Sequence, residues 1–348
     1  MKSKIFKSIL FVCFIVAIYF YYVNTRPPFQ ILSGETMNTY YRITIRSDKE
    51  DTLLHNEIKN ELQQIINEMS VFEKTSDLSQ FNKNKDEGWI DVPETLADIL
   101  KTSYNVYMNT NGYFDPSVGK LIDIWGFGKS KTIKVPTQND IDTVKKDTGF
   151  NQIKFSKDFR RAIKKNKEVQ INLSAVAKGY AVDRIAKMLE DKNYKNFIVE
   201  IGGEVKTKGN RGKKEKGWNI GIARPEEGKT DIYEYIIKMN DMAVATSGDY
   251  RNYFYIDDKK YSHTIDPKTG YPVEHSLTSV TVFDAECAKA DAMATAIMSM
   301  GDKKGLTFAN NYNIPVIMFI RSDDGFQIML SKKAQKMIEL QNQNKENK

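Results

Sequence analysis

The stretch that decides the fold is residues 284–301, whose sequence is D-A-E-C-A-K-A-D-A-M-A-T-A-I-M-S-M-G. Almost every residue from Ala288 onward is a good helix former, so the sequence predicts a helix. Its apolar residues are mostly alanines, which allow neighbouring backbone to approach closely. Asp291 and Thr295 stand four residues apart, so they lie on one face of this helix about one turn apart.

Asp291 and Thr295 can be interpreted in two ways. Two oxygen ligands without a His or Cys on the same face suit a hard cation such as Mg²⁺ better than zinc. Alternatively, Asp291 sits in the first turn, where a carboxylate interacts favourably with the helix dipole, and Thr295 is only packed. This stretch alone leaves both interpretations open.

Composition indicates an ordinary globular protein with a substantial core. The chain has 348 residues, of which 41% are hydrophobic and 28% are charged. Its net charge of +7 comes from scattered lysines, which can attract anionic phosphate compounds or a membrane surface. No nucleic-acid-binding motif accompanies this charge, so no nucleic-acid partner is expected. Outside the N-terminal segment Cys287 is the single cysteine, which excludes an internal disulfide there.

The N-terminal segment 1–26 differs in kind from the rest. Three lysines in its first seven positions precede an uncharged run over residues 8–23. We predict one transmembrane signal-anchor helix, with the N-terminus in the cytoplasm and the body outside. A cleaved signal peptide is the alternative, but no small-x-small cleavage site follows the run.

The body mixes helices and strands without strict alternation. This pattern predicts an α+β fold with mixed or antiparallel sheets and packed helices, rather than a doubly wound α/β fold. We expect one domain over residues 27–335 and a charged tail over 336–348. Helices are predicted at 52–71, at 93–109 and from about 179 to 191. Strands are predicted at 31–47, 168–173, 198–204, 218–223, 232–246 (a pair), 253–257, 260–265, 277–283, 314–320 and 327–330.

Several loops carry more special residues than packing requires. Residues 113–128, Y-F-D-P-S-V-G-K-L-I-D-I-W-G-F-G, form either a core loop or the wall of a pocket for a flat ligand. Residues 174–179 form a strand-to-helix junction, which is either a phosphate site with Lys178 as counter-charge or a plain capped helix. Gly202-Gly203-Glu204 is either an ordinary bulge or permissive backbone beside a functional carboxylate.

One of the chain's three histidines stands out. His263 lies at a predicted strand end in S-H-T-I-D-P-K-T-G, beside a glycine turn. A histidine there can act as a general base or serve only a structural role.

Seven sequence blocks, taken together and in order, resemble the ApbE-like flavin transferase family, the FAD:protein FMN transferases. They are T-M-N-T-Y, the 113–128 stretch, N-L-S-A-V-A-K-G-Y-A-V-D, I-G-G-E, T-S-G-D-Y-R-N-Y, S-H-T-I-D-P-K-T-G-Y-P and A-D-A-M-A-T-A. The resemblance covers residues 33–330 and implies a T-fold-related α+β architecture.

The resemblance also implies an activity. Such enzymes bind FAD, use Mg²⁺ to cleave its pyrophosphate, transfer FMN to a Ser or Thr hydroxyl of a partner protein, and release AMP. Their usual partners are the flavoprotein domains of membrane redox complexes, which suits an anchored body on the extracytoplasmic side of the cell membrane. The alternatives are a Mg²⁺-dependent FAD pyrophosphatase and a non-catalytic FAD-binding protein.

Site residues follow from the same resemblance. It implies that Mg²⁺ is held by the side chains of Asp291 and Thr295 and by the backbone carbonyl of Ala175. It makes Asp291 and His263 catalytic, with His263 as the base that activates the acceptor hydroxyl. Asn172 stands where many members have Asp, and Lys178 where some have Glu. The residues implied to contact FAD are Met37, Phe72, Tyr113, Phe114, Asp115, Asn172, Lys178 and Ile265.

Overall fold

The computed structural model describes residues 14–16, 29–47, 51–128, 133–212, 215–225, 232–249 and 252–346. Apart from residues 14–16, the predicted membrane anchor 1–26 lies outside these ranges. Within them, no helix combines the length and the apolar character that a membrane crossing requires.

Most strands belong to one large sheet, and the others form three small ones. The strands are β1 (Phe29–Thr36), β2 (Thr39–Arg46), β3 (Ile90–Asp91), β4 (Ile153–Phe155), β5 (Arg161–Lys164), β6 (Phe197–Ile201), β7 (Glu204–Lys208), β8 (Trp218–Ala223), β9 (Tyr233–Met239), β10 (Met242–Gly248), β11 (Tyr253–Ile256), β12 (Lys259–Ser262), β13 (Leu277–Asp284), β14 (Val316–Ser322) and β15 (Gly325–Leu330). The large sheet has eight antiparallel strands in the order β1-β2-β6-β7-β10-β13-β14-β15. The small sheets are β11-β12, β3-β5-β4 and β8-β9.

The helices pack around the large sheet and confirm the predicted α+β class. They are α1 (Leu54–Met69), α2 (Asp77–Lys83), α3 (Glu94–Asn109), α4 (Gly119–Ile124), α5 (Gln138–Lys145), α6 (Ala177–Asp191), α7 (Cys287–Met300), α8 (Asp302–Asn311) and α9 (Lys332–Glu346). A single turn of 3₁₀ helix lies at Phe150–Gln152.

Both faces of the sheet are covered at its centre. In β13 the side chains of Val280 and Val282 join the main core cluster, which also contains the apolar residues of α6 and α7. The next residue, Phe283, points to the opposite face and joins a second cluster with Ile222 and Ile237 from the β8-β9 ribbon. Because alternate side chains of a strand point to opposite faces, β13 is buried on both sides. It therefore carries α7 at the centre of the molecule.

Two predicted strands are wrong. Residues 31–47 form a hairpin instead of one strand, because Met37 and Asn38 turn the chain with φ values of 49° and 57°. Residues 168–173 form no regular strand. There the side-chain amide of Asn82 donates to the carbonyl of Ile171 at 2.8 Å and accepts from its N–H at 2.7 Å. This side chain takes the place of a partner strand.

The polar stretch 76–84, S-D-L-S-Q-F-N-K-N, carries a helix that the sequence analysis did not predict, and the C-terminal tail differs from expectation. Ser76 caps α2 by accepting a hydrogen bond from the N–H of Ser79 at 3.0 Å, which converts the polar stretch into a helix. Helix α9 runs across the predicted boundary at 336, and Met337 and Ile338 pack on the second core cluster. Much of the charged tail is therefore one side of a docked helix.

Candidate active site

The site is built around a close contact between α6 and α7. A Cβ atom placed on Gly179 would lie 2.5 Å from the carbonyl oxygen of Cys287 and 2.8 Å from the Cα of Ala288. Asp183 of α6 accepts a hydrogen bond from the N–H of Ala288 at 2.9 Å and so caps the start of α7. The small residues on α7 therefore allow the backbone contact that the sequence predicted.

This contact fixes Asp291. The Asp291 carboxylate is 4% exposed, and its Oδ2 accepts a hydrogen bond from the N–H of Gly179 at 3.0 Å. Since α7 begins at Cys287, Asp291 lies beyond the first turn of the helix. The interpretation of Asp291 as a carboxylate that stabilises the helix dipole is therefore wrong.

Thr295 lies one turn further along the same face. Its Oγ1 is 3.1 Å from the Oγ of Ser247, which belongs to β10. The face of α7 that carries Asp291 thus meets a second hydroxyl group from the sheet. A carboxylate and two hydroxyls form a set of oxygen donors in this place.

An ion pair lies next to these oxygens. Lys178 Nζ is 2.5 Å from Glu204 Oε1, and the Glu204 side chain is only 2% exposed. The turn Gly202-Gly203, with φ values of 61° and 102°, reverses the chain directly before Glu204 and brings this carboxylate to Lys178. Glu204 Oε2 is buried and has no hydrogen-bond partner among the described residues.

Burial and mutual repulsion govern the charges of this group. Burial raises the pKa of Glu204, the charge of Asp291 raises it further, and Lys178 opposes both. Burial also raises the pKa of Asp291, against the opposing charge of Lys178. For Lys178 burial lowers the pKa, but the carboxylates of Glu204 and Asp291 outweigh it and leave the pKa raised. Glu204, whose pKa rises to about 8, therefore keeps its proton near pH 7 more readily than an exposed carboxyl group, and a bound cation would favour its ionised form.

This arrangement fits a hard divalent cation. Mg²⁺ prefers oxygen ligands, and the carboxylates and hydroxyls of this group supply them. Ala175 lies in the turn directly before α6, so its carbonyl is near the backbone that binds Asp291. In the described part of the chain no three His, Cys, Asp or Glu side chains form a metal-binding group. A cation here would depend on hydroxyl and carbonyl oxygens beside Asp291.

The backbone of Asn252 orients His263. Its Nδ1 lies 3.0 Å from the carbonyl oxygen of Asn252. Because a carbonyl only accepts, Nδ1 carries the proton, and Nε2 is left with a lone pair in the neutral ring. The ring also meets Phe127 edge-on with 6.3 Å between centroids. The imidazole is therefore oriented with a basic nitrogen available.

The electrostatic surroundings of His263 connect it to the other site residues. Burial lowers the pKa of His263, the Asn252 carbonyl and the Asp249 carboxylate raise it, and Lys178 and Lys260 lower it. The net effect is a lowered pKa, so the ring stays neutral near pH 7. The charges that act on the His263 ring thus include that of Lys178, the partner of Glu204.

The 113–128 stretch contributes the half-buried ring of Tyr113 and several buried groups. Tyr113 is half-buried, and the ammonium groups of Lys304 and Lys268 lie 4.3 Å and 5.5 Å from its ring centroid. Phe114 is 2% exposed and packs in the main core. Asp115 accepts hydrogen bonds from the N–H and Oγ of Ser117 at 2.8 Å and 2.6 Å, and burial raises its pKa. Asp115 thus also holds the turn that follows it.

The other residues implied to contact FAD occupy different environments. Met37 stands at the β1–β2 turn and packs partly against the core, whereas Phe72 is 60% exposed after α1. Asn172 Oδ1 accepts a hydrogen bond from the N–H of Ser174 at 2.9 Å and orders the turn before α6. Ile265 is 4% exposed and packs with Trp125. Their contact with FAD stays a prediction.

Sequence reasoning missed three residues that shape the site. Glu204 was recognised only as a carboxylate beside two glycines, and its pairing with Lys178 depends on the β6–β7 hairpin. Ser247 and Asn252 lie in the T-S-G-D-Y-R-N-Y block of the resemblance, but neither was given a role. The Gly-Gly turn before a buried Glu was the one available sign, since a short hairpin places the next residue on a defined face.

Comparison with known proteins gives independent evidence on the family of this chain. The family model described as the ApbE family matches residues 37–318. A FAD:protein FMN transferase of Vibrio cholerae is 36% identical over 300 residues, which cover 85% of this chain and 89% of the relative. A FAD:protein FMN transferase of Haemophilus influenzae is 35% identical over 316 residues, which cover 88% of this chain and 91% of the relative.

Solved structures of flavin transferases are also similar to this chain. The flavin transferase ApbE from Vibrio cholerae superposes with a TM-score of 0.80 at 34% identity, covering 89% of this chain and 99% of that one. The apo form of the Pseudomonas stutzeri flavinyl transferase ApbE gives a TM-score of 0.81 at 30% identity, and the match covers 89% of this chain and 96% of that one. Because the family model matches residues 37–318, which are most of this chain, the chain belongs to the ApbE family.

Proposed function

We propose that this chain transfers the FMN part of FAD to a Ser or Thr hydroxyl of an acceptor protein, with Mg²⁺ as metal ion and AMP as second product. The name that the relatives share, FAD:protein FMN transferase, supports this reaction. The observation that carries it for this chain is His263, a neutral imidazole with a fixed tautomer within electrostatic range of Lys178.

The residues of this chain suit each part of the reaction. The new bond joins the acceptor oxygen to the phosphorus of the FMN part, and the bond from that phosphorus to the bridging oxygen breaks, so that this oxygen leaves with AMP. The hydroxyl proton passes to Nε2 of His263. A base is needed because the hydroxyl pKa is too high for the group to ionise near pH 7.

The buried oxygens serve the nucleotide. Asp291, Thr295 and the carbonyl of Ala175 would hold Mg²⁺, which when bound neutralises charge on the reacting phosphates. Lys178 offers a positive charge to the same phosphates, and Glu204 keeps its ammonium group in position. The flavin and adenosine parts would contact Met37, Phe72, Tyr113, Phe114, Asp115, Asn172 and Ile265.

We further propose a cellular location for this chemistry. Segment 1–26 anchors the chain in the cell membrane with the body on the extracytoplasmic side, and its three leading lysines support this orientation. The acceptors are then the flavoprotein domains of membrane redox complexes, which lie on the same side.

The test uses the full-length chain with FAD and a purified acceptor domain that the Vibrio cholerae flavin transferase modifies in a parallel reaction. Intact-mass spectrometry should show that the acceptor gains the mass of FMN less water in Mg²⁺ and gains nothing in EDTA. Free FMN and AMP without an acceptor adduct would instead identify a FAD pyrophosphatase. If FAD stays unchanged, the remaining interpretation is a protein that only binds FAD.

A further inference from the structure

The chain enters the large sheet beside the β8-β9 ribbon. Phe29 begins β1, and the centre of its ring lies 6.0 Å from that of Trp218, the first residue of β8. The guanidinium group of Arg211 lies 5.9 Å from the centre of the same Phe29 ring. The segment that precedes β1 in the sequence therefore joins the body at one end of this ribbon.

The outer face of the ribbon carries exposed apolar side chains. Ile222 and Ile237 are buried in the second core cluster, so their neighbours along each strand point outward. Ile236 lies directly opposite Gly221 on this outer face and is 59% exposed. A Cβ atom on Gly221 would collide with the ring of Tyr233, so this ring, which is 54% exposed, lies over Gly221. Tyr233 and Ile236 thus form one exposed apolar patch, the ribbon patch.

The predicted membrane segment ends close to the ribbon patch. Its uncharged run ends at residue 23, six positions before Phe29, and six extended residues span about 20 Å. Ile236 is three positions along β9 from Met239, the residue paired with Trp218, and three strand residues span about 10 Å. A bilayer that holds the end of the run is therefore within reach of the ribbon patch.

The side chains of this outer face suit a lipid surface. Tyrosine is enriched at membrane–water interfaces, where its ring meets hydrocarbon and its hydroxyl meets water. Lys238, opposite Asn219, is exposed on the same face, and a lysine ammonium group there can reach lipid phosphates. At the other end of the ribbon Arg224 and Glu234 pair at 2.6 Å, so together they bring no net charge. The face is therefore apolar with a cationic end.

A second copy of this chain is a poorer occupant of the patch. The outer edge of β9 is covered by Gln341 of α9, whose Oε1 accepts from the N–H of Lys238 at 2.8 Å and whose Nε2 donates to its carbonyl at 2.9 Å. Strand addition by another copy is blocked there. Two partly exposed side chains also fall far short of the roughly 800 Å² per partner that a stable interface buries. A membrane contact can be weak, because an anchored body is held at a high effective concentration.

We propose that the ribbon patch, Tyr233 and Ile236, rests on the lipid surface of the membrane that holds segment 1–26. The inference depends on the anchor in the proposed function and adds an orientation to it. Because the ribbon and the α6–α7 pair cover opposite faces of the large sheet, this contact turns α6 and α7 away from the lipid. Asp291 and its neighbours then lie on the side of the body that faces water.

Cysteine labelling in vesicles tests this orientation. Full-length chains with Ile236→Cys or Tyr233→Cys, each in a Cys13→Ser background, are reconstituted in vesicles of phosphatidylcholine and phosphatidylglycerol. Cys287 is buried and stays unlabelled. Met108→Cys is the matched control, because Met108 is 56% exposed but lies on α3, which packs against α7. Each chain reacts with a water-soluble maleimide, and its rate is divided by that of the same chain unfolded in guanidinium.

Both patch cysteines should be labelled about tenfold more slowly than the Met108→Cys control in the same vesicles, because lipid excludes the reagent from the patch. This protection should persist when the chain is diluted with further lipid, since the lipid contact does not depend on other copies. FMN transfer by the reconstituted chain is measured in parallel with the wild-type sequence.

Two results would overturn the inference alone. Patch cysteines that react as fast as Met108→Cys would show that the patch faces water. Protection that disappears on dilution with lipid would assign the patch to a second copy of the chain.

Two further results separate this inference from the proposed function. A chain that alkaline carbonate removes from the vesicles would overturn the anchor and this inference together. A chain that stays in the vesicles with a protected patch but never modifies the acceptor would overturn the proposed reaction and support the orientation.

Discussion

The site has two halves, the Asp291 half and the His263 half, and different secondary-structure elements carry them. The Asp291 half comprises Asp291, Thr295, Lys178 and Glu204 and lies between the large sheet, α6 and α7, with carboxylates that are 2% to 4% exposed. The His263 half follows β12 of a separate two-stranded sheet. We therefore propose a division of roles, in which the buried Asp291 half would serve the nucleotide and the half-buried His263 half would serve the protein acceptor.

The strands of the His263 half do not pair with the large sheet. Ring stacking positions this half instead. Phe254 of β11 stacks on Phe127 at 4.9 Å and on Tyr261 at 5.3 Å between centroids. Tyr261 in turn lies 5.5 Å from Trp125, whose Nε1 donates to the carbonyl of Gly270 at 2.9 Å. Aromatic contacts of this kind position a hairpin while leaving one side of it open.

The largest expected effect lies in the Asp291 half. Asp291→Asn should lower both FMN transfer and AMP release by about a thousandfold, because a metal ligand is worth several kcal/mol in such reactions. The fold should persist, since the amide oxygen of the new side chain can accept from Gly179. Single-turnover AMP release measures the effect, and loss of the Mg²⁺-induced rise in Tm gives a second readout. Asp191→Asn, on an exposed pair with Lys187, is the control; wild-type activity in Asp291→Asn would remove the metal assignment.

The His263 half should respond differently. His263→Gln should slow transfer to the acceptor by about a hundredfold or more, as expected for loss of a general base. The affinity for FAD, measured by flavin fluorescence, should not change. His55→Gln is the matched control, because His55 also has a polar partner, the Tyr41 hydroxyl at 2.8 Å, but lies on α1. Equal losses of FAD affinity and of transfer would argue against separate halves.

The helix contact beneath Asp291 should be sensitive to one methyl group. Gly179→Ala should lower the free energy of unfolding by about 1–3 kcal/mol, because the added methyl collides with the backbone of Cys287 and Ala288. Gly212→Ala adds the same group where the nearest atom is 3.6 Å away. Denaturant unfolding compares the two, and equal stabilities would contradict the close contact.

The smallest expected effect is a shift in pH dependence. Because burial and the charges of Lys178 and Lys260 outweigh Asp249 and the Asn252 carbonyl, the pKa of His263 lies below its ordinary value of 6.5. The neutral ring is the active form, so the rate of transfer should fall to half of its plateau value only at a pH below 6.5. Asp249→Asn should move this midpoint to still lower pH. A midpoint above pH 6.5 would contradict the direction of the pKa shift.

Sequence patterns predicted those parts of the molecule that depend on local chemistry. Helix α7 followed from its alanines, and its one-turn spacing of Asp291 and Thr295 is observed. The β1–β2 turn at Met37-Asn38 was missed because no glycine marks it. Residues 168–173 have the composition of a strand, but the Asn82 amide pairs with their backbone from 89 positions away in sequence.

The assembly of the site depended on pairings that no local pattern contains. Lys178 and Glu204 are 26 residues apart, and a hairpin brings them together. His263 receives its tautomer from a backbone carbonyl, which every residue possesses and no sequence pattern distinguishes. The family resemblance supplied the roles of these residues, whereas the structure supplied their partners.

The most direct test of the division between the two halves is the effect of the acceptor on AMP release. Wild-type chain and His263→Gln are loaded with FAD and Mg²⁺, and AMP is followed in a single turnover with and without the acceptor domain. The account predicts that the acceptor accelerates AMP release in the wild type and fails to do so in His263→Gln. AMP release that is equally fast without acceptor, or that is still accelerated in His263→Gln, would contradict it.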